Sequence, residues 1–152
     1  MAAMLFIVQI CFAGLPNIEL VSFLIIIFTI NFSAKQVFFA SYIFCVLEGL
    51  FYGFGLWWIM YLYVWQILIL ITSILKKIDS IIVWAVISGS FGLFFGALCS
   101  IPYLFIGGIG MAFAWWVSGL PFDILHCIGN FTVMLILYKP IRMFFTKIKK
   151  II

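Results

Sequence analysis

The chain has 152 residues, 68% hydrophobic and 20% aromatic, with only 8% charged, a net charge of +4 and a single histidine. At a mean hydropathy of +1.41 it cannot cover itself with a water-solvated surface, which excludes soluble enzymes and nucleic-acid-binding modules and leaves an integral membrane protein. At about 20 residues per crossing helix, the length allows one domain, spanning residues 1–152, and one bundle.

In chain order, the first span is expected from Ala2 to Ala13, ended by Gly14, Pro16 and Asn17 at an outward turn. Met1 to Gly14 is apolar but has no basic n-region, so it reads as a span and not as a cleaved signal. The second span starts near Ile18 and ends before Ser33 and Lys35. The third covers Gln36 to Leu50 and breaks at Gly53 and Gly55. The fourth, Leu56 to Leu75, is closed by Lys76 and Lys77, and the fifth runs from Ile81 to Ser100. Within the fifth, Ser88, Gly92, Gly96 and Ser100 recur every four residues as a ridge of small side chains that lets another helix approach closely. Pro102, Gly107, Gly108, Gly110 and Gly119 then predict an outward re-entrant or capping loop over 101–119. A sixth span from Leu120 to Tyr138 leads to a basic amphipathic tail over 139–152.

This reading is an all-α six-helix membrane bundle in which Lys35, Lys76, Lys77, Lys139, Arg142, Lys147, Lys149 and Lys150 all face one side. The positive-inside rule makes that side cytoplasmic, together with both termini. Three of the four carboxylates, Glu19, Glu48 and Asp123, then fall in the opposite half.

Ionisable groups at membrane depth are costly and ask for a partner or a function. Asp123, His126 and Asn130 are spaced by three and then four residues, so they share one helix face. Asp123 reads equally as the N-terminal cap of the sixth helix or as a binding group. His126 by itself is more often a satisfied interior histidine. Glu48 has no nearby Lys or Arg to neutralise it, so protonation or a ligand must relieve its burial. Trp57, Tyr61 and Trp65 follow one another at four-residue steps, with Trp58 and Gln66 beside them. Trp57 and Trp58 suit an interfacial belt, whereas Trp65, about 12 Å deeper, is either core packing or the wall of a ring-stacking pocket. Acids and aromatics without a cation favour a flat, neutral or cationic ligand over a phosphate or a free carboxylate. Cys11, Cys45, Cys99 and Cys127 form no metal or disulfide pattern, and there is no HExxH, GxSxG or glycine-rich phosphate loop. Neither metal, cofactor nor catalytic residue is expected.

Three stretches carry a family resemblance: Trp116 to Asn130 with Leu137 to Pro140, Leu15 to Glu19, and Leu47 to Gly49 with Tyr52 to Trp58. They resemble the substrate-binding S components of energy-coupling factor (ECF) transporters. The resemblance implies a subunit of a bacterial plasma membrane that captures a vitamin-like or nucleobase-like micronutrient from outside. It would deliver the ligand inward with a transmembrane coupling subunit and two cytoplasmic ATPases. The substrate site implied by the family pattern is Glu48, Trp57, Tyr61, Asp123, His126 and Asn130, with Asn17 and Glu19 in a lid; Trp65 joins the candidate site from its place on the face of Trp57 and Tyr61. The family docks through an Ala-x-x-x-Ala surface on the first helix. Here Ala2 and Ala3 stand in that region, with Phe6 and Ile7 where the second alanine belongs, and the ridge from Ser88 to Ser100 offers a second surface. The alternative is a structural or regulatory membrane protein that assembles through that ridge.

Overall fold

The computed structural model describes residues 1–15 and 17–149, without the side chains of Ile148 and Lys149. It is all-helical: α1 (Ala2–Phe12), α2 (Val21–Asn31), α3 (Ala34–Tyr52), α4 (Leu56–Leu75), α5 (Ile81–Cys99) and α6 (Ile101–Lys149). Local chemistry sets the boundaries. Ser33 opens α3 with a capping box: its hydroxyl accepts from Gln36 N–H, and its own N–H donates to the Gln36 amide oxygen at 3.2 Å. Gly53, at φ 87°, ends α3 in a conformation that favours glycine, and Gly55 restarts the chain as the cap of α4. Ser80 caps α5 by accepting from Val83 N–H.

α2 lies at the centre. Every residue from Val21 to Thr29 is buried, and the helix touches all five others. A helix apolar all round is stable only when surrounded in this way. α3 and α4 are antiparallel and tied by polar bonds: the Gln66 amide bonds the Ser41 hydroxyl at 2.9 Å, and Trp58 Nε1 donates to the Cys45 carbonyl at 2.8 Å.

Four helices, α3, α4, α5 and α6, are long and apolar enough to cross a membrane. α1 and α2 have 11 residues each, so each is only about 16 Å long, half the thickness of a hydrocarbon core. The expected six-span bundle is thus four long helices around and beside two short ones.

The capping loop expected over 101–119 is not a loop. α6 is helical throughout except at Gly107 and Gly108, the latter at φ 76°. Pro102 lies in the first turn of α6, where its missing N–H costs nothing. The two adjacent glycines alone turn the chain back on itself. α5 and α6 consequently form a long antiparallel hairpin, in which Gly96 meets Asp123, Gly92 meets His126, and Gly89 meets Cys127 and Phe131. Near the tip, Tyr103 stacks on Trp115 with ring centroids 5.1 Å apart. At the far end Arg142 bonds Asp79. The basic tail is not a separate element either, since α6 continues through Pro140 to Lys149. Lys150, counted with that tail, lies outside the described residues, as does Pro16 of the first turn.

The helix directions bring Lys35, Lys76, Lys77, Lys139, Arg142 and Lys147 to one end of the bundle. Glu19, Glu48, Asp123 and His126 lie towards the other.

Candidate functional site

Away from the cationic end, two adjoining cavities open between α1, α3, α4, α5 and α6. The first, about 170 Å³, is lined by Gln9, Phe12, Ala13, Leu15, Asn17, Ile18, Glu19, Tyr61, Trp65, Phe95 and His126. The second, about 260 Å³, is lined by Gln9, Ala13, Glu48, Tyr52, Trp57 and Tyr61. Gln9, Ala13 and Tyr61 border both.

The α1–α2 connection covers the first cavity. Asn17 takes a left-handed backbone at φ 54°, a conformation asparagine tolerates better than most residues, and its carbonyl approaches Gly129 of α6. Glu19 holds the connection down at two points. Its Oε1 accepts from His126 Nε2 at 3.1 Å, and its Oε2 accepts from Ser22 N–H at 2.8 Å, at the positive end of α2. Burial alone would raise the Glu19 carboxyl. The hydrogen bond and charge of His126, together with the Ser22 bond, outweigh it and hold the group below its ordinary value.

One wall of the cavities is an aromatic ladder. Trp57 and Tyr61 meet edge to face at 5.3 Å, as do Tyr61 and Trp65. Phe95 continues the ladder at 5.6 Å from Trp65 and 5.0 Å from the His126 ring. Trp65 serves both readings offered by its position: it is buried in the core against Phe44 and Phe91, and it lines the first cavity. Its Nε1 has no partner among the described residues. Trp58, in contrast, is engaged with the Cys45 carbonyl.

Glu48 sits on α3, 2% exposed, and its Oε1 lacks any hydrogen-bond partner among the described residues. It reaches only the second cavity, with Trp57 and Tyr61.

Asp123 and Asn130 line neither cavity. Asp123 lies in mid-helix and does not cap α6. Its Oδ1 accepts from Gly96 N–H at 3.0 Å. Asn130 donates to the Ser88 carbonyl at 3.4 Å. Both belong to the α5–α6 seam, and of the expected Asp123, His126 and Asn130 trio only His126 enters a cavity. The small-residue ridge is the other half of that seam. Ser88, Gly92 and Gly96 are buried against α6, and a Cβ on Gly92 would stand 2.8 Å from the His126 backbone. The ridge is therefore not an outer docking surface, whereas Ala3 on α1 is exposed and Ala2 half-buried.

Gln9 and Phe95 were not expected in the site. Gln9 is the one amide in an otherwise apolar α1, and a lone amide in such a helix was the available signal. Nothing in the spacing of Phe95 separates it from core aromatics.

No known protein family, curated protein or solved structure matches the chain.

Proposed function

We propose that the chain is the substrate-capture subunit of an ECF-type importer in a bacterial plasma membrane. It binds a small vitamin-like or nucleobase-like micronutrient from outside and hands it inward with a coupling subunit and ATPases. The observation that carries this reading is the pair of adjoining cavities, walled by edge-to-face aromatics and a few polar groups, under a connection strapped down by Glu19 and His126. A cavity with a few convergent polar groups and an aromatic wall is how small-molecule sites are built. Opening the strap would admit the ligand and closing it would exclude water. The motif resemblance supplies the transporter class, and the collection of cations at one end supplies the orientation.

The alternative, a scaffold that assembles through the Ser88 to Ser100 ridge, loses its footing because that ridge is occupied by α6.

Native mass spectrometry of the protein purified from its own host tests the proposal. The expected spectrum contains a second species heavier by the mass of one small organic molecule, lost in Trp65→Ala. A protein that carries no ligand, in a host whose nutrient uptake is unchanged by deletion of the gene, would overturn it.

A further inference from the structure

We propose that the second cavity is a subsite for an organic cation, with Glu48 as its counter-charge and the Trp57 and Tyr61 rings as its walls. This deepens the uptake reading and rests on the same site, but it makes a separate claim about charge.

The argument starts from a deficit. A carboxylate 2% exposed, with one oxygen unpartnered, is expensive to leave alone in an apolar bundle. The two ion pairs formed by the described residues, Glu19 with His126 and Asp79 with Arg142, do not involve it. The cavity beside it is lined by Trp57, Tyr61, Tyr52 and Gln9 and by no cationic side chain. Trp57 and Tyr61, at 86° to one another, both line this cavity, so two aromatic rings border the space beside Glu48. A cation against the face of such a ring is attracted by the ring quadrupole, and the attraction strengthens as water is excluded. A hard metal ion is a poor fit, because it demands several oxygen ligands and no group of three or more metal-binding side chains occurs among the described residues. A volume of about 260 Å³ accommodates a six-membered ring bearing an ammonium group. The Gln9 amide, shared with the first cavity, is placed to bond the neutral remainder of such a ligand.

The test is isothermal titration of the detergent-solubilised full chain at neutral pH with benzylammonium, benzyltrimethylammonium and the neutral isostere benzyl alcohol. Both cations are expected to bind roughly tenfold or more tightly than the alcohol. Glu48→Gln should erase that preference and Trp57→Leu should reduce it. Preference for benzylammonium over the quaternary ion would assign a direct hydrogen bond to Glu48. Equal binding of cation and alcohol by the wild-type protein overturns the proposal even if Glu48→Gln fails to fold. A native ligand that proves neutral and is taken up normally by cells carrying Glu48→Gln sinks the cation subsite and leaves the uptake reading intact. Cation preference without any uptake defect on gene deletion does the reverse.

Discussion

Glu19 shows how much a single side chain can be asked to do here: one carboxylate joins the α1–α2 connection, the start of α2 and the middle of α6. Because its folded-state value is held below the unfolded one, the ionised group adds stability above the unfolded value. That contribution is lost as the pH falls through the folded value. Thermal unfolding in detergent, followed from about pH 6 to about pH 3, should lose more stability in the wild type than in Glu19→Gln. Parallel pH profiles would remove Glu19 as the strap. At this scale the sequence announces which residues are costly but not what relieves each of them. The spacing of Asp123, His126 and Asn130 does place them on one face, yet that face is wide enough to serve a seam and a cavity at once. Only the neighbour decides, and Gly96 decides for Asp123 by having no side chain in its way.

Among the elements, the α5–α6 hairpin does most to position the site, because it sets the height at which His126 meets Glu19. Its fit depends on missing side chains. An added methyl at Gly92 would press on the backbone of His126 and Cys127, neither of which can yield without moving α6. Gly92→Ala should therefore cost about 1–3 kcal/mol, as overpacking of a close seam does, and should weaken ligand binding by displacing His126. Gly89→Ala, whose new atom would lie at 3.2 Å or more from its neighbours, should be milder. Unfolding midpoints for the two variants check the order. The ridge was legible from its four-residue period, and so was the expectation that it is a packing seam. The course of 101–119 is not, since its glycine and proline content suggests a loop, whereas every backbone amide in apolar surroundings needs to bond within its own helix. A proline in a first turn and isolated glycines meet that need, and only the adjacent pair at Gly107 and Gly108 does not.

Across the whole molecule, the cations among the described residues gather at one end, and this is legible in the sequence because Lys and Arg punctuate alternate connections. The orientation it implies can be checked by introducing single cysteines into a cysteine-free background. Ala13→Cys should react with a membrane-impermeant maleimide in intact cells, and Lys77→Cys only after permeabilisation; the opposite pattern would invert the protein. What the sequence hid is length. Between Gly108 and Pro140, α6 rises about 45 Å at 1.5 Å per residue, against a hydrocarbon thickness of about 30 Å. Its tip is greasy, with Phe105 87% and Ile109 80% exposed. Such a rod cannot stand upright without pushing bare rings into water, so it must lean or thicken the lipid around it. On the proposed uptake function the hairpin would behave as a keel whose list follows the depth of the bilayer, and thin or thick lipids would set how far below the headgroups an arriving molecule has to travel.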